Sequence, residues 1–185
     1  ELFEAQAIAQ ARAIIEDDAT LFPGFRPIAM ELPFGGDDSP FEFGGARIRG
    51  RMDRVDEGPG GVLVTDYKSG STISGAEQFE KDRLFQPVIY AAAASHVLGR
   101  PCLGGIYRSL STHDVRGFYL AGTVDTCGHG NAKDGLDDEA FSTLVESTEQ
   151  RVRAVVHQMS TGDVSPTPGR TCEYCLAQPF CEVAR

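Results

Sequence analysis

Asp66 and Lys68 close the apolar run of "VLVTDYKSG", residues 62 to 70, and the question is what a carboxylate and an ammonium do there. Side chains alternate along a strand, so Val62, Val64, Asp66 and Lys68 share one face while Leu63, Thr65 and Tyr67 share the other. A bare Asp-x-Lys of this kind is what a solvated strand end also shows. Its neighbours point to chemistry. In "GRMDRVD", residues 50 to 56, Asp53 alternates with Arg51 and Arg49, and a turn at "EGPGG" brings this strand beside Asp66 and Lys68. Glu31, in "MELPFG", lies on a third strand of the same expected meander. Carboxylates that converge repel one another, and a hard divalent cation such as Mg²⁺ or Mn²⁺ relieves that repulsion while keeping sites for water and phosphate. A lysine beside such an ion can orient a water or stabilise charge that builds on phosphorus. This constellation suits phosphodiester cleavage.

The elements that must position these residues follow from periodicity and punctuation. Residues 2 to 18 place Leu2, Ala5, Ile8, Ala9, Arg12 and Ile15 at helical spacing, which predicts an amphipathic helix. Strands are expected over 27 to 34, over 41 to 56 as one long strand, and over 62 to 68, joined by Gly-, Asp- and Pro-rich turns as an antiparallel meander. A helix follows over about 76 to 98, in which Pro87 either kinks the helix or marks a start near Phe85. Two further strands are expected in "LGGIYRSL" and "VRGFYLAG", then a mobile polar loop in "TCGHGNAKDG", a helix from about 138 to 158, and a cysteine-bearing tail over 162 to 185.

Composition narrows the class. No apolar run approaches the roughly 18 to 20 residues of a membrane span, and nothing at the start reads as a signal peptide, so a cytoplasmic protein is expected. The chain opens on Glu1 inside a helical pattern, as a piece of a longer polypeptide would. A net charge of −10, from 17 Lys and Arg against 27 Asp and Glu, argues against a simple electrostatic nucleic-acid binder. The strip "ARIRGRMDR" nevertheless gathers Arg47, Arg49, Arg51 and Arg54, which either guide a phosphate backbone or pair with the acidic residues. Five cysteines without secretory features favour metal or cluster binding over disulfides. Of these, Cys172, Cys175 and Cys181 form C-x₂-C-x₅-C, one ligand short of a four-coordinate site. Spacing gives His96, His113, His129 and His157 no catalytic role, His129 in its Gly-rich loop being the one closest to a substrate position.

Taken together, "GRMDRVD", "VTDYKSG" and "LFQPVIYAAA" resemble the successive motifs of the PD-(D/E)XK nuclease superfamily, in particular its RecB-like branch. The resemblance implies a restriction-endonuclease-like α+β (α/β) core in a single domain, residues 1 to 185, with a central mixed sheet of about five strands flanked by helices. It implies metal ligation by Asp53, Asp66 and the backbone carbonyl of Tyr67, with Glu31 assisting, and Lys68 as the catalytic lysine. Gln86 and Tyr90, as Q-x-x-x-Y on one helix face, would brace the site and contact substrate, where a core Tyr and a capping Gln is the plainer account. Arg49, Arg51 and Arg54 would contact DNA. The branch also carries a metal-binding histidine before the first strand, and residues 1 to 30 contain none. Its cysteine trio joins a fourth, upstream cysteine around a [4Fe-4S] cluster, and no cysteine precedes Cys102. The implied activity is a Mg²⁺- or Mn²⁺-dependent DNA exonuclease within a bacterial helicase–nuclease of double-strand-break repair, working with a partner subunit or the rest of a longer chain. A stand-alone nuclease of the CRISPR-adaptation type and a non-catalytic DNA-end clamp are the alternatives.

Overall fold

The computed structural model describes residues 2–163 and 165–181. Helix α1 (Leu2–Leu21) leads into strand β1 (Arg26–Phe34), a small hairpin of β2 (Glu42–Phe43) and β3 (Ala46–Arg47), and the hairpin of β4 (Gly50–Gly58) and β5 (Gly61–Lys68). Helices α2 (Ala76–Phe79) and α3 (Gln86–Leu98) follow, then β6 (Cys102–Ser109), β7 (Val115–Leu120), β8 (Gly135–Leu136) and α4 (Asp138–Ser160). Six strands form one mixed sheet in the order β1-β4-β5-β6-β7-β8, where about five are expected from sequence, the sixth being the two-residue β8. β1, β4 and β5 are antiparallel neighbours, as the turn chemistry predicts. Pro59 fixes φ at the first central position of the β4–β5 turn and Gly60, at φ 87°, takes the second. β5 and β6 are parallel, so the chain must cross over a face of the sheet between them, and α3 makes that crossing.

The sheet carries helices on both faces. On one, Val55, Val62, Val64 and Tyr107 pack with Phe79 of α2, Val88, Ala91 and Ala94 of α3 and Val152 of α4. On the other, Leu63, Leu103, Ile106 and Val115 pack with Leu21 at the end of α1 and Phe22 beyond it. β5 is therefore buried on both sides, which is why it reads as an apolar run. Among the described residues no helix is long and apolar enough to cross a membrane.

Four expectations are corrected. The strand over 41 to 56 is broken, because Gly44 and Gly45, at φ 59° and 78°, turn the chain into the β2–β3 hairpin. That turn rests on α4: a Cβ at Gly44 would lie 2.8 Å from the carbonyl oxygen of Glu149. The helix over 76 to 98 is split, though of the two roles expected for Pro87 the start near Phe85 holds: Phe85 is the N-cap of α3 and Pro87 lies in its first turn, where its missing N–H costs nothing. In α1 the buried face is Ile14, Asp18 and Leu21, while Ile8 and Ile15 are exposed, because charged groups beneath the sheet choose the docking face. Finally, the polar loop over 126 to 135 is anchored. Asp134 within it is 1% exposed and accepts from Arg116 Nε at 2.8 Å and from the Gly117 N–H at 3.2 Å.

Candidate active site

The β4–β5 hairpin aligns the site. Val55 opposes Val64 and Arg54 opposes Thr65, so Asp53 and Asp66, two positions along from Val55 and Val64, lie on the same side of adjacent strands. Asp53 Oδ2 accepts the backbone N–H of Tyr67 at 2.9 Å, which fixes the carboxylate against the residue between Asp66 and Lys68. α3 begins at Gln86, directly over the ends of these strands. Its side-chain amide spans the site: Oε1 accepts from Lys68 Nζ at 2.8 Å, and Nε2 donates to Asp66 Oδ1 at 2.9 Å. The same Nε2 donates to the Tyr90 hydroxyl at 3.0 Å, one helical turn on. The structure therefore brings together Asp53, Asp66, Lys68, Gln86 and Tyr90. Beneath them lies Tyr107, with Lys68 Nζ 5.0 Å above its ring centroid.

The electrostatics are those of a buried carboxylate beside a half-buried ammonium. Asp66 is 5% exposed. Its Oδ2 is buried and stands 2.5 Å from Lys68 Nζ as an ion pair. Burial raises the Asp66 carboxyl above its ordinary range; the ammonium of Lys68 opposes the rise and the charge of Asp53 adds to it. Burial likewise pushes the Tyr107 phenol up, with Asp66 contributing. A cation near Oδ2 is the natural partner for such a group. Asp53 and Asp66 fit a hard divalent ion of low protein coordination, which takes one or two carboxylates and fills its other positions with water and phosphate.

Glu31 does not join them. By register it faces Asp53, since Met30 opposes Arg54 and Leu32 opposes Met52, but its backbone takes φ 52°. Its side chain, 64% exposed, pairs with Arg51 Nη1 at 3.3 Å. Among the described residues no three His, Cys, Asp or Glu side chains are gathered to hold a metal. The same holds for the tail. Cys175 is exposed, Cys172 and Cys181 are half-buried, and the three thiols do not assemble as an iron–sulfur site would require.

The arginine strip divides. Arg47, Arg49 and Arg51 are exposed and pair with Glu42, Asp37 and Glu31 on the surface. Such pairs are weak and exchangeable. Arg54 is a correction, because it is 6% exposed and points away from the site. Its Nε lies 2.8 Å from Asp56 Oδ2 and its Nη1 2.9 Å from Asp18 Oδ2. Arg108, fully buried, donates through Nε to Asp18 Oδ1 at 2.9 Å. The Tyr67 hydroxyl donates to Asp18 Oδ2 at 2.5 Å, and its phenol is pushed up to about 12 by burial and by this acceptor. Residue-type reasoning misses this cluster. The available signal is phase: Arg54 and Asp56 alternate out of step with Asp53, so they must face the opposite side. His129 lies on that side too, its Nε2 3.7 Å from Asp17, and not beside Lys68.

The sequence pattern of the PD-(D/E)XK nuclease superfamily matches residues 3–182. Over 94 residues, 44% of this chain, the sequence is 40% identical to an ATP-dependent helicase/deoxyribonuclease subunit of Symbiobacterium thermophilum. The match spans 8% of that much longer relative. With a match over nearly its whole length, on a mixed sheet that sets Asp53, Asp66 and Lys68 side by side, this chain belongs to the PD-(D/E)XK nuclease superfamily.

Proposed function

We propose that this chain is a divalent-metal-dependent deoxyribonuclease domain that hydrolyses phosphodiester bonds from DNA ends, and that it serves a cytoplasmic helicase–nuclease in double-strand-break repair. The observation that carries the activity is the Gln86 amide held between Lys68 and Asp66, because it fixes an ammonium beside a buried carboxylate at a strand end open to ligand. Similarity to a helicase/deoxyribonuclease supports the wider assembly.

Asp53 and Asp66 would hold Mg²⁺ or Mn²⁺, with the Tyr67 carbonyl, which would polarise the scissile phosphate and acidify a bound water. The chain's own residues do the rest. Lys68 presents a positive charge where negative charge develops, in a setting where half-burial strengthens it. Gln86 keeps that ammonium aimed by accepting from it, and its Nε2–H holds Asp66 Oδ1, leaving Oδ2 to the Lys68 ammonium. Tyr90 fixes the amide's orientation by accepting its second proton. Arg49 and Arg51 exchange surface carboxylates for phosphates of the bound strand.

Degradation of labelled single- and double-stranded DNA in Mg²⁺ or Mn²⁺, with Asp66→Ala and Lys68→Ala beside the parent, tests this. Each substitution is expected to cost about 10²-fold or more. Equal rates in parent and Asp66→Ala would end the assignment at this site.

A further inference from the structure

Beside the site lies a second cavity of about 400 Å³. Gln86 forms part of its wall, as does Tyr107, whose ring lies under Lys68. The remaining lining is largely apolar, from Ile48, Leu84, Phe85 and Ile89, and two arginines, Arg49 and Arg83, stand with it. Phe85 is backed by the Arg151 guanidinium, 5.3 Å from its ring centroid, which fixes one aromatic wall. Arg83 is the unusual residue. It holds φ 54°, a left-handed conformation that a long side chain adopts at a cost. The turn imposes that conformation: Arg83 N donates to Glu80 O at 3.3 Å and Leu84 N to Phe79 O at 2.9 Å. Its side chain is exposed and, among the described residues, no carboxylate pairs with it, unlike Arg47, Arg49 and Arg51.

A polymer that lays one phosphate against Lys68 carries a sugar and a base one step away, and the volume falls within the about 300–1,000 Å³ of small-ligand clefts. We infer that this cavity is a nucleotide subsite: it takes the base next to the scissile phosphate against Phe85 and Ile89, while Arg83 holds the adjoining phosphate. A base paired and stacked in a duplex cannot enter such a pocket, so the subsite selects an unpaired strand. The inference rests on the nuclease assignment above and deepens it.

The test uses fluorescence anisotropy on this chain with a fluorescein-labelled 12-nucleotide oligothymidylate and a 12-unit tetrahydrofuran abasic oligomer, both in EDTA. The base-bearing oligomer is expected to bind about tenfold more tightly. Ile89→Trp or Ile48→Trp, each filling the cavity from a different wall, should erase that ratio and leave abasic binding intact. Arg83→Asn, a residue type that tolerates the left-handed region, should weaken both oligomers alike and reduce the salt slope by about 0.7. A parent ratio near one, or a ratio that survives both tryptophans, overturns the subsite. Mg²⁺-dependent hydrolysis of the same oligothymidylate is read separately. Cleavage without base dependence removes the subsite alone, base-dependent binding without cleavage removes the nuclease assignment alone, and neither binding nor cleavage removes both.

Discussion

Gln86 Oε1 accepts from Lys68 Nζ at 2.8 Å, and this contact ties the first turn of α3 to the end of β5. The amide must accept on one side and donate on the other, since Asp66 is an acceptor only. Gln86→Ala is expected to slow Mg²⁺-dependent hydrolysis of a fluorescent oligonucleotide about tenfold to a hundredfold, with the melting temperature little changed. Gln86→Glu keeps the acceptor and loses the donor, so it is not expected to restore the rate. Full activity in either variant would show that the bridge plays no part in turnover.

Asp66 makes a prediction about stability without metal. Burial raises its carboxyl above the ordinary value of 3.8 in the folded chain, so the folded state binds this proton more tightly than the unfolded one. Stability linked to this group is then present at low pH and is lost as pH rises from 3.8 through the raised value. Asp66→Asn removes the buried charge. In EDTA at pH 7 it should melt above the parent, and the gap should close as pH falls through the raised value toward 3.8 and below, where the parent carboxyl takes up its proton. A variant that melts no higher at pH 7 would contradict the direction of the shift.

Arg54 tests the opposite face. Its removal leaves Asp56, 0% exposed, without its guanidinium, and Asp18, 8% exposed, with Arg108 and Tyr67 alone. Breaking a buried pair by deleting one partner costs about 3–5 kcal/mol. Arg54→Ala should lose about that much in urea unfolding. A loss below about 1 kcal/mol, the range of exposed pairs, would place Arg54 outside the core.

Arg51 should behave in the reverse manner. Its pair with Glu31 is exposed on both sides, so Arg51→Ala is expected to change stability by less than about 1 kcal/mol. If Arg51 contacts phosphate, the variant weakens DNA binding uniformly across sequences and lowers the slope of log affinity against log salt by about one. An unchanged slope removes it from the DNA surface.

The hairpin of β4 and β5 and the meeting of Asp53 with Asp66 and Lys68 are legible in sequence, because they depend on local signals, period-two alternation and a Pro-Gly turn, whereas Gln86 and Tyr90 enter only through the family resemblance. What escapes is non-local. Arg54 sits in the same strip as Arg49 and Arg51, and beyond the phase it shares with its neighbour Asp56 it needs Asp18, 36 residues earlier and itself held by Arg108 of β6, to complete its buried role. Glu31 escapes for a backbone reason. Its left-handed φ breaks the alternation that would otherwise aim it with Asp53. The break at Gly44 is visible as a glycine pair, but its cause is the close approach of α4, more than 100 residues later.

Tyr67 belongs to both faces of the sheet at once: its N–H fixes Asp53 and its hydroxyl holds Asp18 of α1. Thermodynamic linkage runs both ways. Whatever steadies Asp53 and Asp66 must therefore steady the anchorage of α1, although α1 contributes no group to the catalytic face. Deuterium uptake at the amides around Asp18 should slow when Mn²⁺ is added to the parent and should not slow in Tyr67→Phe, which makes a remote helix the reporter of occupancy at the strand ends.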